Sequence, residues 1–349
     1  MKMRKAKILG LALLLGLAVL TFAACGQDRK PVLSVYNWGD YIDESIIAEF
    51  EKEFNIRVNY DTFSTNEDMY VKVKSGGGSY DLLFPSDYTI ERMRKEGMLH
   101  KLDFNNIPNY QYIEEQFKNL DYDPQNEYSV PYMWGTVGIV YNKKMVTKPV
   151  TSWRILWDED YAKQILMLDS QRDSIGITLK MLGYSMNTRN LQELAAAKEA
   201  LIKQKPLVLA YVGDDVKDKM IAGEAALAVV WSGDAVYMMR ENPDLAFAIP
   251  EEGSNLWFDA MVIPNTSKHK TEAEKFINFL CRTEIAYKNT DYIGYSTPHR
   301  EAKKLLEPEL LNEPAAYPSA EQLANCEIFL DLGDFLKEYD RIWTEVKAI

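Results

Sequence analysis

Between residues 32 and 97 the chain repeatedly sets a segment of period-2 apolar spacing ahead of one with helical spacing. "VLSVY" (32–36), "IRVNY" (56–60) and "YDLLF" (80–84) read as strands. "DESIIAEFEKEF" (43–54) places Ile46, Ile47, Phe50 and Phe54 on one helical face behind an acidic first turn. Asn66 caps a short helix holding Met69 and Val73, Gly76-Gly77-Gly78 turns the chain, and "DYTIERMRKEG" is a helix closed by Gly97. Strands joined by helices, rather than by tight hairpins, predict an α/β fold with largely parallel sheets.

The alternation restarts after "YSVPYMWG" (128–135), whose Pro and Gly suit a hinge or a domain crossing. Strands are expected at 136–142, 165–169, 207–212 and 225–231, with helices in 174–204 and a short one from Asp234. "NLWFDAMVIP" (255–264) is a further strand, and helices follow at 270–281, around 283–291, 301–311 and about 331–347. A chain of 349 residues is long for one core. This order predicts two lobes, 31–134 with about 259–300 and 135–258 with about 301–349, joined by more than one crossing and so able to hinge.

The N-terminus "MKMRKAKILGLALLLGLAVLTFAAC" joins a basic head to an apolar run ending at Ala23-Ala24-Cys25, the pattern of an export signal. Small residues leading into a cysteine resemble a bacterial lipobox, with 1–24 as signal peptide, Cys25 as the lipidated residue and 25–30 as a tether. Simple secretion and a retained anchor helix are the alternatives. Removing residues 1–24 takes away four cations and no acid, moving the formal charge from −12 to −16, 36 cations against 52 acids. Such a field repels nucleic acid and anionic lipid headgroups and favours small cations. Cys281 and Cys326 would then be the remaining cysteines; a bridge between them is open, and they do not staple the fold.

Catalytic and cofactor signatures are missing. His100, His269 and His299 have no metalloprotease spacing, no Cys/His cluster has zinc spacing, and there is neither a G-x-S-x-G elbow nor a G-x-G-x-x-G behind the first strand. "SGGGSY" lacks the Lys-Ser/Thr of a phosphate loop. No enzyme, cofactor or metal is expected.

What recurs is Trp or Tyr beside a carboxylate or small hydroxyl at the carboxyl end of a predicted strand, where crevices of open α/β sheets lie. The instances are "YNWGDY" (36–41), "FPSDY" (84–88), "LDSQRD" (168–173), "VWSGDA" (230–235), "LWFDA" (256–260) and "IGYSTPH" (293–299). In the fifth, alternation puts Leu256, Phe258 and Ala260 on one strand face and Trp257, Asp259 and Met261 on the other. A carboxylate sharing a face with an indole requires water or a cation. An alkyl polyamine fits such a set, because each ammonium takes a carboxylate while indole faces cover stem and charge.

With these motifs in order, the sequence resembles the spermidine/putrescine-binding lipoproteins that feed ABC transporters. "FSTNEDMYVKVKSGG", "SVPYMWGTVGIVYN", "VTSWRILW" and "FINFL" extend the likeness over nearly all of the mature chain. The resemblance implies a two-lobe type II periplasmic-binding-protein fold, each lobe a mainly parallel sheet flanked by helices, with ligand in the cleft. It implies ligand contacts from Trp38, Asp40, Tyr41, Ser86, Tyr88, Asp173, Trp231, Asp234, Trp257, Asp259 and Tyr295, with Asp259 as primary ammonium anchor and Asp173 or Asp234 as the second. The partners implied are spermidine or putrescine, the permease subunits, and the membrane through lipid on Cys25. Gly39, Ser170 and Phe329 depart from the family pattern and leave the length of the ligand open. A quaternary amine on the same scaffold is the alternative.

Overall fold

The computed structural model describes residues 30–349. The expected signal peptide and the lipidation site Cys25 lie outside the described residues. Nine strands are present among them: β1 (Val32–Trp38), β2 (Arg57–Phe63), β3 (Leu82–Leu83), β4 (Ser129–Asn142), β5 (Ile165–Leu168), β6 (Val208–Val212), β7 (Leu227–Trp231), β8 (Leu245–Ala248) and β9 (Leu256–Val262). Their order is β2-β1-β3-β9-β4-β7-β5-β6, with β8 also paired to β4.

The fold is the mixed α/β, two-lobe arrangement that the alternation predicts. Parallel ladders occupy the outer part of each half, β1 with β2 and β3, and β5 with β6 and β7. Antiparallel ladders fill the middle, where β4 runs from one half into the other. Ser129–Thr136 of β4 pair with β9, Val137–Tyr141 with β7, and Ile139–Asn142 with β8. At about 3.3 Å per residue, a 14-residue strand is long enough to cross both halves.

Three local expectations are corrected. "YSVPYMWG" is not a break before a new strand but the first half of β4. Its Pro131 is accommodated where the register against β9 slips between Pro131 and Met133, a bulge that absorbs the missing N–H donor. Residues 301–311 form two short helices, Arg300–Lys303 and Pro308–Leu311, because Pro308 can open a helix but not continue one. The C-terminal helix begins at Leu336 rather than 331.

Packing follows the patterns read from sequence. Phe50 of the helix Glu44–Phe54 meets Phe276 and Phe279 of the helix Lys270–Leu280 at ring-centroid distances of 4.7 and 5.5 Å. The late helical segment thus returns to the first half of the sheet. The helix Leu336–Ala348 instead packs on Gln171–Met181 and Leu191–Gln204, burying Tyr339, Ile342 and Val346. Cys281 and Cys326 are free thiols. Among the described residues no helix is long and apolar enough to cross a membrane.

Candidate functional site: an acidic, aromatic cleft at the strand ends

The carboxyl ends of β1, β2, β5, β6 and β7 converge with the middle of β9 on one cavity of about 380 Å³. All eleven residues expected at the site line it. So do Gly39, Ser170 and Phe329, together with Glu67, Asp87, Asp214 and Asn255, which sequence reasoning did not single out. The lining holds nine carboxylates and, among the described residues, no lysine or arginine.

Asp259 is placed by the register of β9 against β4, which sets it opposite Met133 and Trp257 opposite Gly135. A Cβ on Gly135 would come within 2.7 Å of the Trp257 ring, so a glycine is required for that indole to lie across β4. The predicted alternation holds: Trp257 and Met261 pack into one apolar cluster, Phe258 and Ala260 into another.

Asp259 is 5% exposed. The Tyr41 hydroxyl donates to its Oδ2 at 2.8 Å, whereas Oδ1 has no partner among the described residues. Burial pushes its pKa up to about 7, against the opposing pull of the Ser86 and Tyr41 hydroxyls. Ionising it in the unliganded cleft therefore costs on the order of 4 kcal/mol relative to water. The Tyr41 ring is fixed edge-on to Tyr132 at 5.3 Å and to Tyr295 at 5.1 Å. Ser86 is positioned by Asn66, whose Oδ1 accepts from the Ser86 N–H and whose Nδ2 donates to the Ser86 and Tyr88 hydroxyls at 3.1 and 3.0 Å.

Asp173 sits in the first turn of the helix Gln171–Met181. The capping Ser170 donates its hydroxyl to Oδ2 at 2.7 Å, and Asn255 approaches Oδ1 at 3.4 Å. Burial pushes Asp173 up to about 6. Its chain neighbour Arg172 does not pair with it; the guanidinium lies over Phe329 and Tyr88 at 4.3 and 5.0 Å and donates to the Leu330 carbonyl and Asn187. Asp234, in the first turn of the helix Ser232–Glu241, is likewise raised to about 6 by burial. Its nearest cation is Lys217, at 3.7 Å, which bonds Asp40 at 2.8 Å.

The walls are aromatic. Trp38 packs on Phe63 at 4.5 Å and spends its indole N–H on the Phe84 carbonyl at 2.8 Å. Trp257 meets Tyr295 at 5.5 Å, and its Nε1 has no partner among the described residues. Tyr88 lies edge-on to Phe329 at 5.9 Å. Two of the missed acids, Glu67 and Asp87, have a common explanation, since both look like ordinary first-turn acids in the sequence. Glu67 receives the Tyr88 hydroxyl at 3.2 Å, and Asp87 receives the backbone N–H of Tyr88 and Phe258, tying its helix start to β9. Burial raises the pKa of both.

Two lobes meeting on a shared strand, with a solute-sized acidic cleft at the strand ends, define a solute-binding protein. The model of the bacterial extracellular solute-binding protein family matches residues 45–319, and the chain belongs to that family. It is 37% identical over 335 residues to the spermidine/putrescine-binding periplasmic protein of Salmonella typhimurium, covering 95% of this chain and 96% of that one. It is similar in structure to a putative spermidine/putrescine ABC transporter from Listeria monocytogenes, with a TM-score of 0.89, 44% identity, and coverage of 91% and 99%. The spermidine/putrescine substrate-binding protein PotD from Streptococcus pneumoniae aligns with a TM-score of 0.77 and 40% identity over 91% and 99%.

Proposed function

We propose that this chain is an extracytoplasmic polyamine receptor that captures spermidine or putrescine between its lobes and delivers it to an ABC permease. The observation that carries the reading is the set of buried carboxylates left without cations. Oδ1 of Asp259 has no partner, Asp173 bonds only neutral groups, and among the described residues neither forms a salt bridge, the nearby Lys217 being engaged at the Asp40–Asp234 end. A diammonium or triammonium ligand supplies the missing charge and N–H donors, while its methylenes lie on Trp231, Trp257 and Tyr295. Asp259 is the primary anchor, with Asp173 or Asp234 as the second; Trp38, Tyr41, Ser86 and Tyr88 complete the box, and Asp40 stands at its rim.

Binding involves no covalent step, so the chain is a carrier and not an enzyme. The lobes, 31–134 with about 259–300 and 135–258 with about 301–349, close over the ligand, whose differential affinity for the closed form drives closure. Lipid on Cys25 holds the receptor at the membrane surface. A quaternary amine would satisfy the aromatic walls but offers no N–H to the unpartnered oxygens.

Calorimetry on the mature protein tests the reading. Spermidine and putrescine should bind at about micromolar Kd or tighter, roughly −8 kcal/mol, and choline far more weakly. Equal or tighter choline binding, or no polyamine binding, would refute it.

A further inference from the structure

The end of the cleft away from Asp259 carries a charge that the polyamine reading does not use. Lys217 belongs to the helix Val216–Ile221, which packs on β7 and on the helix Ser232–Glu241. Its ammonium, just outside the cavity lining, reaches Asp40, just beyond β1 in the other half of the sheet, at 2.8 Å, and lies 3.7 Å from Asp234 on its own side. The side chain is only 13% exposed. Asp214 closes the same end, its Oδ2 lying 2.5 Å from where a Cβ on Gly39 would stand, so the bare Gly39 backbone is what admits it. Two carboxylates, Asp40 and Asp234, therefore share one tethered ammonium, and Asp214 feels its charge without pairing with it. That ammonium is chemically the same group as the end of the ligand.

We propose that Lys217 is a specificity-determining residue: its tethered ammonium holds the Asp40–Asp234 end of the cleft and competes there with a ligand's distal ammonium, setting how many positive charges the site accepts. The inference rests on the polyamine reading. With Lys217 in place, a diamine held by Asp259 and Asp173 needs no partner at the far end, whereas the further ammonium of a triamine meets a like charge and carboxylates already engaged. Removing the lysine charge must favour the triamine, because it removes the repulsion and releases two acceptors together. The Lys217 side chain makes this a property of the receptor's own chain and independent of the aromatic walls, which treat both ligands alike.

The experiment compares putrescine and spermidine by calorimetry on wild type, Lys217→Met and Lys217→Arg. Lys217→Met keeps the apolar stem and should shift the ratio of the two affinities toward spermidine by about tenfold, the effect of one charge-assisted hydrogen bond at the lower end of its range. Lys217→Arg keeps the charge and should stay within about twofold of wild type. Asp40→Asn leaves Lys217 charged but makes that end less negative, and should move the ratio toward putrescine; it reads the same competition should the methionine variant not fold. A ratio in Lys217→Met that stays within about twofold of wild type, or moves toward putrescine, overturns this inference alone. Failure of the wild type to bind either amine overturns the polyamine reading as well.

Discussion

Acidification should release the ligand by titrating its anchors. An ammonium is held by the ionised form of Asp259, yet burial raises that carboxyl to about 7 in the unliganded cleft, so at mildly acidic pH binding must first remove a proton. Between about pH 7.5 and about pH 5.5 the loss from Asp259 alone is about 25-fold by proton linkage. Asp173 and Asp234, each near 6, contribute a further factor of about four apiece where the ligand engages them, for a total of a few hundredfold. Putrescine stays protonated throughout, its ammonium groups titrating near the lysine range, so the change belongs to the protein. The assay is calorimetric titration with putrescine across this interval, in two buffers of different ionisation enthalpy, so that proton release is counted at each pH. An affinity flat from about pH 5.5 to 7.5, with no protons released, would refute the argument that buried, unpaired carboxylates hold the ligand.

Four other outcomes follow from the same geometry. In the ligand-free protein the sign reverses. A carboxyl raised in the folded chain contributes stability that is present below its unfolded value of about 3.8 and is lost as pH rises through about 6 to 7. The Tm without ligand should therefore fall from about pH 5 to about pH 8, and Asp259→Asn should flatten that fall; an unchanged slope would contradict the assignment. Trp257→Leu should weaken spermidine binding by about 5- to 30-fold through lost cation–π contact, read by calorimetry with the melt as control, and no loss would remove that wall from the site. Gly135→Ala should displace the Trp257 ring, lowering affinity and costing about 1–3 kcal/mol of stability in denaturant melts; wild-type values for both would show that the close approach is immaterial. Cys281, buried and pushed up to about 12, should react with a thiol reagent only on unfolding, and without reductant the denatured chain should alkylate at both Cys281 and Cys326.

The fold was legible wherever side-chain periodicity and backbone geometry agree. β1, β2 and the helix Glu44–Phe54 follow their apolar spacing, and Asp259 lies on the Trp257 face because a strand leaves it nowhere else. The cleft was legible for a related reason: the expected contacts sit on β9 or at and just past strand ends, where the sheet itself gathers side chains that are far apart in sequence, except Tyr295, which follows the helix Thr283–Ile293 and not the strand expected before "IGYSTPH". β4 was misread because Pro131 signals a break in any local reading, and only the antiparallel partner β9 reveals that a bulge accommodates it. β8 was missed because "LAFA" has no polar alternation and is defined by its pairing with β4. Glu67, Asp87 and Asp214 carry no distinguishing local signal, since acids near helix starts are common; burial in the closed fold singles out Glu67 and Asp87, and only the fold brings the exposed Asp214 against Gly39. Lys217 sits among the charges of "GDDVKDK", and nothing in that spacing reveals a partner 177 residues away.

The claim on which the account stands is that Asp259 holds an ammonium because, among the described residues, the fold gives it no cation of its own. The most direct measurement is spermidine affinity for Asp259→Asn beside wild type, with circular dichroism and Tm recorded on both. The account predicts a loss of about a hundredfold or more, the usual consequence of truncating one side of a buried charge pair, with the spectrum preserved and the ligand-free Tm at neutral pH equal or raised. Spermidine binding of wild-type strength by the folded variant would contradict it.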